Sequence, residues 1–147
     1  MDANLILFYQ FATLNSFKLN KYLKKFSTTI KSHDQIIESK IKTHEHGLKL
    51  ATEMLKKIAG SEILITSRIH SAIPAAAMGL KVIFIDEGLN HINHQSRIKD
   101  LKNFFQCVSL KELFMINLDE VQISSNHLSY SSNLKKTIKT FIEEWMF

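Results

Sequence analysis

The chain has 147 residues, of which 45% are hydrophobic, and a formal net charge of +5. This length allows one domain with its own core, and only four glycines and one proline exclude a linker-rich chain. The single Cys107 excludes an internal disulfide, so nothing indicates a secreted scaffold. The uncharged stretch over residues 3–17 is too short and polar to span a bilayer, which needs about 20 apolar residues. We therefore expect a cytoplasmic protein.

The first part of the chain has the patterns of two strands and two helices. An apolar run over residues 5–9 predicts a strand or the start of a helix, residues 14–26 have helical spacing, and residues 35–42 predict a short strand. A second helical pattern predicts an amphipathic helix whose apolar face packs on the core. Its apolar positions are Leu48, Ala51, Leu55 and Ile58. Gly60 is the residue expected to end this helix.

The next segment predicts two strands joined by a short helix. Ile63–Ile65 is apolar and precedes a polar turn, and Lys81–Ile85 returns as a second apolar run. Between them, Ser71–Met78 has small and apolar side chains, which predicts a helix buried on all sides with Pro74 in its first turn. Gly79 closes the helix. This pattern predicts adjacent parallel strands with a right-handed crossover.

The rest of the chain continues the alternation. It is predicted to contain a polar loop (87–96), a short helix (97–105), a strand (106–108), a helix capped by Ser109 (110–116) and a terminal helix (133–145). Strands and helices alternating at these lengths predict an α/β fold, a Rossmann-like layered domain with a parallel sheet over residues 1–147.

Arg68 directly follows the first strand of the paired-strand segment. A guanidinium can hold a phosphate or carboxylate through two hydrogen bonds, and the N-terminus of the next helix offers unpaired N–H groups. Ser67 and Ser71 flank the position and complete a candidate anion site. The alternatives are that Arg68 pairs with a nearby carboxylate and that the serines cap the helix.

His70 stands two residues after Arg68. In open α/β sheets, ligands bind outside the carboxyl ends of the strands. A histidine there can deliver a proton to an anion held by the arginine. The alternative is a buried histidine that caps the helix. The pair predicts an anionic substrate that must be protonated.

The other histidines form two short motifs, His44 and His46 as H-x-H, and His91 and His94 as H-x-x-H. Without a second cysteine or an HExxH motif, we predict no metal site and assign all four to exposed loops. His91 and His94 follow the second strand, so they are predicted to open on the same sheet edge as Arg68.

Lysines are clustered at helical spacing in two places. They are Lys18, Lys21, Lys24 and Lys25, and later Lys135, Lys136 and Lys139. Such clusters are typical of solvated helix faces. The alternative is peripheral association with an anionic surface such as the inner membrane leaflet. No nucleic-acid recognition motif is present.

The segment from about Ile41 to Phe105 resembles the C-terminal half of the polysaccharide pyruvyl transferases. The resemblance comprises a helix containing L-A-T-E-M-L (50–55), the motif I-T-S-R-I-H (65–70), the small-residue helix A-I-P-A-A-A-M-G (72–79), the strand V-I-F-I (82–85) and R-I-K-D-L (97–101). It implies a fold like one half of a GT-B glycosyltransferase, with the active site in a cleft between two domains.

The resemblance also implies the chemistry. The donor would be phosphoenolpyruvate, and its pyruvate would be transferred as a ketal to a sugar of a cell-surface polysaccharide, with no cofactor. Arg68 would bind the donor's anionic groups beside Ser67 and Ser71, and His70 would be the acid. Arg97, which opens the R-x-x-D-L motif, would join His91 and His94 in the pocket.

The family's N-terminal half has no counterpart in this resemblance. We therefore expect an exposed apolar face unless the chain dimerises or binds a partner chain. Two alternatives to the transferase stay open: a glycosyltransferase-like domain that uses a nucleotide sugar, and a truncated, non-catalytic interaction module.

Overall fold

The computed structural model describes residues 4–8, 16–26, 29–33, 41, 43–86, 99 and 101–145. The strands are β1 (Asn4–Phe8), β2 (Thr29–His33), β3 (Ile63–Thr66), β4 (Lys81–Ile85) and β5 (Gln106–Val108). The helices are α1 (Ser16–Leu23), α2 (His44–Ala59), α3 (Ile69–Ala77), α4 (Leu110–Leu113) and α5 (Asn126–Trp145), and 3₁₀ turns lie at Leu101–Phe104 and Leu118–Glu120.

The five strands form one parallel sheet in the order β2-β1-β3-β4-β5. One face carries a core with side chains of α1 and α4, and the other carries a core with side chains of α2 and α3. This arrangement confirms the predicted α/β, Rossmann-like layered fold. The strand order reverses between β1 and β3, so the helices that follow these two neighbouring strands pack on opposite faces of the sheet.

The predicted pair of strands is confirmed. β3 and β4 are parallel neighbours, with Ile63 opposite Lys81 and Thr66 opposite Phe84. All four residues of β3 are buried, as expected for a central strand covered on both faces. Phe84 is completely buried and its ring lies 5.1 Å from that of Phe105.

Helix α3 differs from its prediction at its start. It begins at Ile69 rather than Ser71, because the N–H groups of Ser71 and Ala72 both donate to the Arg68 carbonyl, at 3.1 and 3.0 Å. Pro74 therefore lies in the second turn, where it has no N–H to donate to the His70 carbonyl.

Helix α3 is also not buried on all sides. Its sheet-facing residues are fully or almost fully buried, and they are Ser71, Ala72, Ala75 and Ala76. Ile73 and Met78 are 38% and 41% exposed on the other side. The sheet and α2 pack against α3, and the side that carries Ile73 stays open to solvent.

The predicted end of α3 at Gly79 is confirmed. Gly79 has φ of 80°, a backbone conformation that is sterically unfavourable for any residue with a Cβ. Its N–H donates to the Ala76 carbonyl, and the Leu80 N–H donates to the Ala75 carbonyl, both at 3.0 Å. This pair of bonds is a Schellman motif, which satisfies the last carbonyls of the helix and turns the chain into β4.

Helix α2 forms as predicted and is capped by Gly60, but of its predicted apolar positions only Ile58 is buried. Leu48 and Leu55 are 65% and 43% exposed, whereas Ile58 is 2% exposed and Met54 packs partly buried against the same core. The side of the helix that packs on the core therefore carries Met54 and Ile58, whereas Leu48 and Leu55 are on the side open to solvent.

The elements predicted near the N-terminus are confirmed in part. Residues 5–9 lie mostly in β1, and the helix predicted over 14–26 is α1, Ser16–Leu23. β2 was not predicted, because T-I-K-S-H has little apolar character. Of the strand predicted over 35–42, only residue 41 is described, and it is not in a strand.

The C-terminal elements match more closely. β5 is confirmed and Ser109 caps α4, which ends at Leu113 instead of residue 116. Of the helix predicted over 97–105, the structure describes residue 99 and residues 101–105, and it shows a 3₁₀ turn at Leu101–Phe104. Helix α5 begins at Asn126, seven residues earlier than predicted. No helix in the described part of the chain is long and apolar enough to cross a bilayer.

Large apolar side chains of α5 are exposed along one side of the helix. They are Leu134, Ile138 and Phe141, with exposed fractions of 52%, 49% and 57%. The described contacts that hold α5 to the sheet domain are near its start, where the Tyr130 ring lies 5.5 Å from that of Phe104 and Asn126 Nδ2 donates to the Asn103 carbonyl at 2.7 Å.

The cap of α4 predicts an acid-dependent loss of stability. Glu112 Oε2 accepts the Ser109 N–H at 2.7 Å, and the Ser109 hydroxyl oxygen accepts the Glu112 N–H at 3.3 Å. The bond from the Ser109 backbone and then the bond with its side chain lower the pKa of Glu112 from 4.5. This carboxylate therefore stabilises the fold above pH 4.5, and the contribution is lost as pH falls through the folded-state pKa.

We expect urea-unfolding curves measured between pH 6 and pH 3 to show a steeper loss of stability for the wild type than for Glu112→Gln. The glutamine can accept the same N–H bond but does not titrate. Parallel pH dependences would contradict the capping role of the charge.

Candidate functional site at the carboxyl edge of the sheet

The chain leaves β3 at the point where the order of the strands reverses. In sheets of this order, a crevice opens outside the carboxyl ends of the two strands whose connections go to opposite faces, and ligands bind there. β1 and β3 are these strands. The topology thus places the turn of Ser67 and Arg68 beside the crevice, a position that the sequence patterns did not specify.

Arg68 is the residue that caps the start of α3, with an extended backbone (φ −102°, ψ 118°). Its own N–H donates to the Thr66 hydroxyl at 3.0 Å. Thr66 is 1% exposed and ends β3, so this bond fixes the first residue of the turn to the sheet. Thr66 was not singled out as a site residue, although its place as the polar last residue of an apolar strand was visible in the sequence.

The guanidinium of Arg68 is short of hydrogen-bond acceptors. Nε and Nη2 are both buried, and neither has a hydrogen-bond partner in the described structure. Leaving a buried donor unpaired costs about 1–3 kcal/mol. The predicted alternative, in which Arg68 is held by a nearby carboxylate, therefore finds no support among the described residues.

The N-terminus of α3 adds further donors. The Arg68 side chain makes no capping hydrogen bond. The described residues supply no acceptor for the N–H groups of Ile69 and His70, because the first intrahelical donors are Ser71 and Ala72. Arg68, with two unpaired guanidinium nitrogens, is therefore the residue at the positive end of a nine-residue helix that has two open backbone N–H groups. This combination suits an anion.

The other predicted site residues differ in their exposure to solvent. His70 is exposed on the solvent side of α3, and Ser67 is partly exposed in the turn. Ser71 is completely buried on the side that packs on the sheet, so its hydroxyl is not presented to solvent in this structure. His91, His94 and Arg97 lie outside the described residues. Whether His70 and Arg68 share one pocket with them stays a prediction.

His44 and His46 were expected in a loop, and this was wrong. They lie in the first turn of α2, which Thr43 caps by accepting the His46 N–H at 3.1 Å. Within the described ranges, no group of three metal-ligating side chains comes together.

An acidic residue at the same edge was missed. Asp86 directly follows β4, the neighbour of β3, and its N–H donates to the Val108 carbonyl of β5 at 3.2 Å. The edge therefore carries a cation after β3 and a carboxylate after β4. The sequence signal was the change from V-I-F-I to aspartate at the strand end.

Comparison with known proteins identifies a family. The sequence model of a family described as polysaccharide pyruvyl transferase matches residues 3–88, which is more than half of the chain. The match contains the turn with Arg68 and His70, begins well before residue 41, and ends before Arg97. No curated protein and no solved structure shows significant similarity to the chain.

Proposed function

Since the chain belongs to the polysaccharide pyruvyl transferase family, we propose that it takes part in transferring pyruvate from phosphoenolpyruvate to a saccharide as a ketal. The observation that carries the proposal is the guanidinium of Arg68 at the N-terminus of α3, whose buried Nε and Nη2 have no partner in the described part of the chain. Phosphoenolpyruvate offers a phosphate and a carboxylate, and both are acceptors for such donors.

The residues fit the steps of this reaction. His70 donates a proton to C3 of the enol, which becomes the methyl group, and C2 becomes electrophilic. A sugar hydroxyl adds to C2, the C2–O bond to phosphate breaks, and a second hydroxyl closes the ketal. The two hydroxyls release two protons. One of them returns His70 to its protonated form, and the other leaves with inorganic phosphate. Arg68 offsets the charge of the donor throughout.

The proposal extends to the surroundings of the site. The described domain would form one side of a GT-B-like cleft, and a second domain, a partner chain or a second copy would complete it. The acceptor would be a sugar of a cell-surface polysaccharide, and the reaction would take place in the cytoplasm without a cofactor.

The test is calorimetry with phosphoenolpyruvate and, separately, with nucleotide sugars. We expect the wild type to bind phosphoenolpyruvate and the Arg68→Ala variant to bind it about 100-fold more weakly, since hydrogen bonds to charged groups are worth about 1.5–3 kcal/mol each. Preference for a nucleotide sugar would favour the glycosyltransferase alternative. Unchanged affinity in Arg68→Ala would end the assignment, and no binding by the wild type would favour a non-catalytic module.

A further inference from the structure

A second surface combines exposed lysines with exposed apolar side chains. Lys21, Lys24 and Lys25 are all exposed at the C-terminal end of α1 and in the turn that follows. Two of them, with Tyr22 and Phe114, line an open depression of about 240 Å³. Phe114 is 38% exposed, and the next residue, Met115, is 83% exposed. We call this surface, Lys21, Lys24, Lys25, Phe114 and Met115, the basic-apolar patch.

The exposed methionine is held in place by the fold. Tyr22 fixes the segment around it, because its hydroxyl donates to the Ile116 carbonyl at 2.6 Å and its ring packs edge-on at 5.4 Å from that of Phe114. Leu113 and Leu118, on either side of the turn, are completely buried. The turn is therefore anchored to the core at both ends and to α1 in the middle. The exposed side chain of Met115 therefore extends from a backbone segment that the core holds in place.

The chemistry of the patch selects its partner. An apolar protein surface would leave three ammonium groups without counter-charges, and a purely acidic one would leave Met115 in water. An anionic bilayer satisfies both, since its headgroups attract lysines and its boundary with the acyl chains accepts apolar side chains. We infer that the basic-apolar patch docks the protein on an anionic lipid membrane.

The basic-apolar patch lies away from the candidate anion site at Arg68. α1 connects the carboxyl end of β1 to the amino end of β2, so its C-terminal lysines lie toward the amino edge of the sheet. Arg68 lies at the carboxyl edge. Docking through the patch therefore leaves the candidate anion site uncovered.

The test is co-sedimentation of the full chain with two kinds of vesicle, pure phosphatidylcholine and phosphatidylcholine with about 30% phosphatidylglycerol. We expect binding only to the anionic vesicles, and a steep loss of binding when salt rises from about 0.1 to 0.5 M, because counter-ions screen the lysines. Failure of the wild type to bind anionic vesicles would overturn the inference. If it bound soluble polyglutamate instead, the patch would be a site for an acidic protein.

Variants locate the surface. Replacing Lys21, Lys24 and Lys25 together by glutamine should weaken binding to anionic vesicles about 100-fold, at about fivefold for each lysine. The matched control removes the same charge from α5 by replacing Lys135, Lys136 and Lys139, which are also exposed. We expect the control to lose less than tenfold. Equal losses in the two triple variants would show attraction to net charge alone and would overturn the inference.

The apolar part has its own pair of variants. Met115→Ser should weaken vesicle binding about tenfold, since the exposed side chain would no longer enter the bilayer. Met78→Ser, at an exposed methionine directly after α3, is the control and should bind like the wild type. An unchanged Met115→Ser variant would contradict the insertion. All these positions are exposed, and thermal melts check that each variant is folded.

Discussion

Replacing Arg68 with methionine is expected to raise the free energy of unfolding by about 1–3 kcal/mol while phosphoenolpyruvate affinity falls about 100-fold. Two nitrogens of the Arg68 guanidinium are buried with no acceptor among the described residues. Methionine keeps an apolar stem of similar length and removes these donors. Opposite effects on stability and binding are expected of a residue that is retained for a ligand. Urea unfolding without donor and calorimetry with donor measure the two effects.

Two further variants control this prediction. Lys81 lies at the amino edge of the sheet, opposite to Arg68. Unlike Arg68 it has an ion-pair partner, since its Nζ lies 3.5 Å from Glu62 Oε1. Lys81→Met should give no gain in stability and should leave phosphoenolpyruvate affinity unchanged. Arg68→Lys should recover only part of the affinity, since an ammonium lacks the planar two-point contact. A destabilised Arg68→Met variant with wild-type affinity would show that Arg68 is a structural residue.

The second large effect is expected at His70. His70→Gln should lower kcat by about 10²–10⁴-fold, the range for removal of a general acid. Phosphoenolpyruvate affinity should stay within about threefold of the wild type, because an acid acts mainly in the transition state. The side chain is exposed, so stability should not change. Phosphate release in the presence of a saccharide acceptor gives kcat, and calorimetry gives the affinity.

His44→Gln is the matched control, since His44 is an exposed histidine on α2, away from the candidate site in the sequence. It should retain wild-type turnover. If His70→Gln also retained it, another group would deliver the proton and the role proposed for His70 would be wrong.

The β3–α3–β4 unit was predictable from the sequence for local reasons. The isoleucine-rich runs of β3 and β4, the alanines between them and Gly79 each favour the conformation that they adopt. Arg68 and His70 could be singled out for the same reason, since their place after an apolar run is a matter of chain order. The family resemblance rests on this local segment too.

Tertiary structure decided which side of each helix is covered. The apolar positions of α2 span a wide arc, and the sequence spacing put Leu48, Leu55 and Ile58 on one face. The sheet and α3 cover only the part of the arc that carries Ile58 and Met54. Periodicity determines that a helix is amphipathic, but the neighbouring elements determine which part of a wide apolar arc is buried.

Tertiary structure also decided the setting of the site. Strand β2 owes its place to its pairing with β1, since its own residues carry little strand signal. The reversal of strand order beside Arg68 exists only in the assembled sheet. The sequence by itself determined that a cation and a histidine follow a buried strand. Only the fold decided that Nε and Nη2 of Arg68 are buried with no acceptor among the described residues, because burial and pairing depend on residues that are distant in the chain.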